Sequence, residues 1–194
     1  MICATIFKNG RTVVIEFPCC DSYIFNQLQQ IGVSDPLDCI QEVKDVGTNL
    51  PSLSILNGKT LNLDFLNFLA MRLDSFDMRE RAQFEAAQSV KQYTDIKDII
   101  NLTFNLHNFT LISDFSDMKK VGERHYLNVN MAMPVSEKES VDFTAIGKQL
   151  VSTGTGKVTP YGVLFENQLP SEEVFNGQTL PQFLYDDCAF NIMI

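Results

Sequence analysis

The segment that comes nearest to a catalytic motif is Gly154-Thr155-Gly156-Lys157. A Gly-Lys pair of this kind ends the loop that cradles nucleotide phosphates. That loop also needs a glycine five positions before its last glycine, and Ser or Thr after the lysine. Here those two positions hold Val151 and Val158. The segment also follows a predicted helix, where a phosphate loop would follow a strand. A turn between a helix and an extended segment is therefore the favoured interpretation.

Histidines and paired acids are the other side chains that could do chemistry. The two histidines, His107 and His125, fall at the ends of different predicted helices, and a triad would require the fold to bring one of them beside Ser or Cys and a carboxylate. A partly exposed helix-end histidine is the favoured interpretation of His125. The pairs Glu172-Glu173 and Asp186-Asp187 have no third ligand at metal-binding spacing. The sequence thus predicts no metal, no cofactor and no enzymatic activity, and binding is the expected function.

The cysteines indicate a compartment. They are Cys3, Cys19, Cys20, Cys39 and Cys188. Their number is odd and their spacing suits neither a disulfide framework nor a zinc site. The first residues lack a basic segment followed by a long apolar stretch, and no run approaches the ~18 apolar residues of a membrane span. We therefore expect free thiols in a reducing cytoplasm.

The charge balance excludes one class of partner. The 194 residues include 24 Asp and Glu against 15 Lys and Arg, which gives a net charge of -9. A nucleic-acid binder needs an excess of bases to displace counterions from phosphates, so direct binding to nucleic acid is not expected. An acidic chain also stays dissolved through self-repulsion, and this simpler use of the charge remains open. Apolar residues make up 45% of the chain, enough for a packed core.

The amino-terminal part predicts a small sheet with one helix. Residues 2–17 alternate around Asn9-Gly10, the pattern of a tight β-hairpin. A helix is predicted over Ser22–Ile31 and a third strand over Leu37–Val46. Residues 47–60 are rich in turn formers and are predicted to form a boundary.

The middle part predicts three short helices that form a bundle. Thr60 or Asn62 would cap the first helix. Asp77-x-x-Glu80 is a variant of the capping box and would open the second. Thr94 would cap the third, which is predicted to begin at Asp95.

The last part predicts mixed structure. An extended run is expected over Phe109–Ile112, and Asp114 or Ser116 would start the next helix. Ser136-x-x-Glu139 is a capping box in front of another apolar helix pattern. A further extended segment is predicted over Tyr161–Phe165.

Together these elements predict an α+β protein whose small antiparallel-sheet and helix domains flank a short helical bundle. The predicted domains are residues 1–58, 59–108 and 109–194. At the carboxy terminus, Leu180–Tyr185 is predicted to form a helical turn and Cys188–Ile194 a closing strand.

Three stretches between residues 60 and 165 resemble the antirestriction protein ArdA family and its relatives on mobile elements of Gram-positive gut bacteria. Residues Leu61–Leu73 resemble the family's central helix, with a Leu-Asn start and a Leu-Ala-x-x-Leu run. Residues Asp98–Leu106 are similar to a Leu-Ile-Asn-Leu segment of the clostridial members. Residues Val141–Lys148, followed by Tyr161-Gly162-Val163, resemble the antirestriction motif, in which an acidic and an aromatic residue precede a small and a basic one.

The resemblance implies an elongated homodimer that imitates bent DNA and occupies the DNA groove of a type I restriction-modification enzyme. Carboxylates would then stand in for duplex phosphates. The resemblance marks Asp142, Phe143, Gly147 and Lys148 as the antirestriction-like motif. Lys and Arg residues in the central helices offset the negative charge of the acids there. A continuous acidic band would therefore require these bases to lie on a different face from the acids.

Twelve carboxylates are the candidates for a partner-binding acidic surface. They are Asp74, Asp77, Glu80, Glu85, Asp95, Asp98, Asp114, Asp117, Glu123, Glu137, Glu139 and Asp142. The alternative is an accessory or interaction domain with the same fold, or an inhibitor of another defence system such as CRISPR, without strong DNA mimicry.

Overall fold

The computed structural model describes residues 1–114, 116–131, 140–167 and 169–180, and the chain has an α+β fold, as predicted. Its strands are β1 Ile2–Lys8, β2 Arg11–Phe17, β3 Ile40–Thr48, β4 Lys59–Asn62, β5 Phe109–Ile112, β6 Gly156–Thr159 and β7 Gly162–Glu166. Its α-helices are α1 Asp21–Gln29, α2 Leu63–Asp74, α3 Met78–Lys91, α4 Ile96–Phe104, α5 Met118–Asn130 and α6 Phe143–Ser152. Two 3-10 helices cover Pro51–Leu56 and Leu106–Asn108.

The first sheet is antiparallel and has the strand order β2-β1-β3-β4. Strands β1 and β2 form the predicted hairpin, in which Lys8 lies opposite Arg11. The turn residues Asn9 and Gly10 have φ angles of 51° and 79°. This left-handed backbone is what a two-residue Asn-Gly turn requires. The predicted third strand is also confirmed, because β3 pairs with β1.

Period-two alternation turns one face of this sheet inward. Ile2, Ala4 and Ile6 of β1 are at most 1% exposed, and Ile15 and Phe17 of β2 are fully buried. Helices α1 and α2 pack against β2 and bury their own apolar sides. The hydrophobic effect on this face holds the first sheet to its helices.

The predicted boundary at residues 47–60 forms part of this core. The 3-10 helix Pro51–Leu56 buries Leu53 and Leu56 completely. Strand β4 follows and pairs antiparallel with β3. The turn formers in this segment dominate its composition, so the two inward leucines and the short fourth strand escaped prediction.

The second sheet is antiparallel and has the order β5-β7-β6. It confirms the extended runs predicted at Phe109–Ile112 and Tyr161–Phe165. Ile112, Val121, Val163 and Phe165 form one buried cluster between the sheet and α5. Helix α6 packs against α5.

The described residues divide into two compact units. The first contains residues 1–81, 92–104 and 172–180, and the second contains residues 82–91 and the described part of 105–171. This division differs from the three predicted domains. The break predicted after residue 58 falls where β3 pairs with β4, inside the first unit.

Some predictions fall outside the described residues. They are the capping box Ser136-x-x-Glu139, most of the helical turn Leu180–Tyr185, and the strand Cys188–Ile194. Within the part of the chain that the structure describes, no helix is both long and apolar enough to cross a membrane.

The Asn101 side chain makes three hydrogen bonds to residues 172–180 and helps hold this segment within the first unit. The Oδ1 atom of Asn101 accepts hydrogen bonds from the N–H groups of Val174 and Phe175 at 3.0 and 2.9 Å. Its Nδ2 group donates to the carbonyl of Phe175 at 2.8 Å. The Phe175 ring is fully buried and meets Phe65 edge-on at 4.8 Å between centroids. The ion pair Lys97–Glu173, at 2.5 Å, lies beside this contact.

Replacing Asn101 tests this clamp. Asn101→Ala removes three hydrogen bonds to a half-buried backbone, so we expect a loss of about 2–4 kcal/mol in the free energy of unfolding, measured in urea. Asn101→Asp keeps the acceptor and loses the donor, so its loss should be intermediate. Asn176→Ala is the control, because that exposed side chain accepts only from the nearby Gln178 N–H among the described residues. Equal stability of Asn101→Ala and the control would contradict the clamp.

Candidate partner-binding surface

Negative charge is concentrated in one of the two units. The described residues of the first unit hold fourteen Asp and Glu against eight Lys and Arg, a net charge of −6. The described residues of the second unit hold six of each, a net charge of zero. Along the sequence, the excess of acids is largest after residue 131, where eight Asp and Glu stand against three Lys and Arg. The structure assigns Glu172 and Glu173 from that part to the first unit.

Four of the predicted surface acids cap helices. Asp77 accepts from the N–H groups of Arg79 and Glu80 at 2.7 and 2.8 Å at the start of α3. Asp95 accepts from Lys97 N–H at 2.8 Å at the start of α4. We call Asp77, Asp95, Asp117 and Asp142 the cap aspartates.

The other two cap aspartates lie in the second unit. Asp117 accepts from Lys119 N–H at 2.9 Å before α5, and Asp142 accepts from Ala145 N–H at 3.0 Å before α6. All four cap aspartates are exposed. Each carboxylate is therefore held in place by a helix start while it still faces solvent.

Two predicted caps were wrong by one to three residues. Asp95 caps α4, where Thr94 was expected, and Asp117 caps α5, where Asp114 or Ser116 was expected. In both cases the aspartate directly before the first helical residue accepts the hydrogen bond of the cap. The capping box at Asp77 is confirmed, because Glu80 Oε2 accepts from Asp77 N–H at 2.9 Å. Bonds from the Glu80 and Arg79 N–H groups lower the pKa of Asp77 below its usual value.

Two other predicted acids are paired with cations. Asp74 lies 2.6 Å from the amino terminus of Met1 and 3.9 Å from Arg81. Asp114 lies 2.6 Å from Lys120, and this bond is the main cause that lowers the pKa of the Asp114 carboxyl. Such pairs reduce the net field of their acids. By contrast, Asp98 is exposed on α4.

The prediction that Glu85 belongs to the surface was wrong. Its side chain is 3% exposed and accepts a hydrogen bond from the Tyr161 hydroxyl at 2.9 Å. Burial, with the bond to Glu85, raises the pKa of Tyr161 to about 12. Residues 84–88 of α3 are all buried, so this stretch has no solvated side. The mixed charges of Arg79, Glu80 and Arg81 earlier in α3 are typical of a solvated helix face, and this pattern ends before Glu85.

Three predicted acids remain. Glu123 is half-buried on α5. Glu137 and Glu139 lie outside the described residues.

Sequence reasoning missed a group of acids around the Cys39 thiol. Asp21 at the start of α1 and Asp64 in the first turn of α2 both act on this thiol. Burial first, and then the charge of Asp64, raise the pKa of Cys39 to about 11. Burial and the charge of Asp21 raise the pKa of Asp64. These residues are far apart in sequence, and only tertiary packing brings them together.

The antirestriction-like motif has a structural role at three of its four residues. Asp142 caps α6. Phe143 is 3% exposed and meets Tyr126 of α5 edge-on at 5.7 Å between centroids. At Gly147 an added Cβ would lie 2.0 Å from the carbonyl oxygen of Met118. Lys148 is exposed.

Gly122 on α5 makes the matching approach. A Cβ added there would lie 2.0 Å from the carbonyl oxygen of Phe143 and 2.9 Å from the nitrogen of Gly147. The two glycines therefore let the backbones of α5 and α6 meet, and this crossing accounts for the small residue of the motif.

Alanine at either glycine should separate the two helices. Because the obstructing atoms are backbone, Gly147→Ala and Gly122→Ala should each cost about 3 kcal/mol or more, measured by thermal or urea unfolding. Gly47→Ala in β3 is the matched control, since its Cβ would meet Cys3 O at an ordinary 3.6 Å. A stability change of Gly147→Ala no larger than that of Gly47→Ala would refute the close crossing.

Two adjacent thiols next to α1 have opposite environments. The buried amide of Asn67 bonds the backbone of Cys19 twice, accepting from its N–H at 2.9 Å and donating to its carbonyl at 2.9 Å. Burial raises the pKa of the Cys19 thiol to about 11. The exposed Cys20 thiol lies 3.2 Å from the Ser22 hydroxyl. Hydrogen bonds from Ser22 and from Tyr23 N–H lower the pKa of Cys20.

Thiol labelling should follow these environments. We expect iodoacetamide at neutral pH to modify Cys20 first and Cys19 and Cys39 last, because the thiolate is the reactive form. Peptide mass spectrometry after timed quenching measures the order. Ser22→Ala should slow the labelling of Cys20 and leave Cys39 unchanged. Faster modification of Cys39 than of Cys20 would contradict the assignment.

The remaining chemical side chains do not assemble a centre. His125 lies within α5, not at its end as predicted, and its ring centroid is 4.7 Å from that of Phe165. Burial lowers the pKa of this imidazole. His107 is exposed in a 3-10 helix. Among the described residues, no group of three His, Cys, Asp or Glu is arranged to hold a metal ion.

The glycine-rich segment is the predicted turn. Thr153 ends α6, Gly154 has a φ of 74°, and β6 begins at Gly156.

Neither a scan of protein-family models nor a search of curated proteins gives a match to this chain.

Proposed function

We propose that this chain is an ArdA-like antirestriction protein, which inhibits a type I restriction-modification enzyme by occupying its DNA-binding groove. It would act in the cytoplasm as a protein ligand and, as in the family it resembles, as a homodimer. The observation that carries the proposal is the charge difference between the units, −6 in the first and zero in the second. The acidic first unit would be the surface that enters the groove.

The cap aspartates supply the physical reason why such a surface would work. A DNA mimic must hold its charges at fixed positions, because ordering flexible carboxylates on binding costs conformational entropy. Asp77 and Asp95 are exposed, yet helix N–H groups already fix their carboxylates. The Asp77 carboxyl, whose pKa is lowered, stays ionised well below neutral pH.

The partner's basic groove would add to this effect. Field lines focus in a groove lined by bases, which accelerates the association of an acidic ligand and makes it sensitive to salt. Inhibition then needs only competition with DNA for the same groove.

Asparagine at the cap aspartates separates charge from stability. Asn caps helices about as well as Asp, so each substitution removes one charge and leaves the fold intact. We expect the double variant Asp77→Asn/Asp95→Asn to inhibit DNA cleavage by purified type I enzyme about tenfold less well. The dependence of its binding on salt should also become shallower.

The matched control is Asp117→Asn/Asp142→Asn. It makes the same chemical change at the same kind of position, but in the neutral unit. We expect its inhibition to stay within about twofold of the unchanged protein. Equal losses in the two double variants would contradict a surface on the first unit. Full DNA cleavage in the presence of excess unchanged protein would reject the restriction target.

One observation favours the alternative, an interaction domain or an inhibitor of another defence system without strong DNA mimicry. Asp74 and Asp114 face cations within the chain, so part of the acidic set is locally neutralised. In that case this chain should capture a partner protein that does not bind DNA, and an added DNA duplex should not compete with the capture. Capture that a DNA duplex displaces would instead support the groove competitor.

A further inference from the structure

Strand β2 is the outermost strand of the first sheet, and within the described residues it pairs only with β1. Lys8 and Arg11 flank the two-residue turn and so form a hydrogen-bonded pair. Hydrogen-bonded pairs alternate along an antiparallel ladder. The N–H and C=O groups of Thr12, Val14 and Glu16 therefore point away from β1.

Among the described residues, this edge has neither the short length nor the proline or bulge that protects many exposed edges. The other sheet edges of the described residues, β4, β5 and β6, are four residues long, whereas β2 has seven. The ladder with β1 has no register shift, and no proline interrupts β2. The centre of the edge is Val14, an apolar side chain that is 54% exposed. Long regular edges of this kind are covered by another strand, or they cause aggregation.

We infer that β2 pairs antiparallel with β2 of a second copy of this chain, about a two-fold axis at Val14. This register sets Val14 opposite Val14 and Thr12 opposite Glu16, so only outward-facing residues meet. Each of the three residues offers one donor and one acceptor, and the pairing satisfies all of them in six hydrogen bonds. A shift by two residues would bring Gly10 of the turn or the end of the strand into the ladder and lose part of these bonds.

The side chains agree with this register. Antiparallel partners share one face of the sheet, so the exposed Val14 side chains would cover each other. The Thr12 hydroxyl would lie beside the Glu16 carboxylate of the second copy, and no like charges would stand opposite each other. On the other face, Val13 would meet Ile15 and extend the buried apolar layer. This self-complementarity favours a second copy over an unrelated peptide, and it does not depend on the proposed function.

Sedimentation of the full chain over a concentration series tests the inference. The unchanged protein should show twice the mass of one chain. Val14→Lys places two ammonium groups opposite each other, so it should weaken the dimer by at least about tenfold. Val158→Lys is the matched control, because Val158 is an equally exposed strand valine (55%) in the second unit, and its dimer should be unaffected. Far-UV circular dichroism checks that both variants remain folded.

Chemical cross-linking tests the register. Val14→Cys should be joined between two copies at position 14 by a thiol-specific cross-linker with a reach of about 5 Å, identified by peptide mass spectrometry, because directly opposite residues of a hydrogen-bonded pair place their Cβ atoms about 5.5 Å apart. Thr12→Cys should not cross-link to itself. In this register each position 12 lies opposite position 16 of the other copy, so the two introduced thiols are about four residues apart along the ladder.

Three results would overturn the inference. The first is a single-chain mass at every concentration. Protected amide protons at Thr12, Val14 and Glu16 would then show that another segment covers the edge. The second is a dimer that Val14→Lys leaves intact, which would place the interface elsewhere. The third is a cross-link at position 12 and none at position 14, which would reject the register.

Discussion

The unsatisfied N–H groups at the starts of four helices, α3 to α6, determine where four of this chain's exposed aspartates lie. A helix leaves its first N–H groups without backbone partners, and a carboxylate there satisfies them and meets the positive end of the dipole. In this chain Asp77, Asp95, Asp117 and Asp142 all serve this purpose. Four exposed aspartates therefore also stabilise the helix starts at which they lie.

Local patterns predicted most of the fold. The Asn9-Gly10 hairpin, the α2 cap at Asn62 and the capping box at Asp77 depend on a few neighbouring residues, and the structure has all three. Helix and strand periods depend on equally short windows. Strand β4 and the buried leucines of Pro51–Leu56 were missed, because turn formers surround them and their partners lie elsewhere in the chain.

The candidate surface was less predictable, because it depends on burial and on long-range assembly. Glu85 has the sequence context of an exposed helix residue, yet every neighbour on its stretch of α3 is buried. The environment of Cys39 is made by Asp21 and Asp64, which no spacing rule connects. The need for glycine at position 147 also follows only from the three-dimensional structure, because the backbone of α5 approaches it closely at Gly122.

The clamp at Asn101 has a consequence for synthesis on the ribosome. The first unit is discontinuous, since Phe175 fills its interior only after the second unit has been translated. Residues 1–104 therefore emerge before the Phe175 ring that packs against Phe65 and before the backbone groups that bond Asn101. The described residues of the second unit all lie between residues 82 and 171, so they have all been translated before Phe175. The unit whose translation starts first is thus the one whose described residues are translated last.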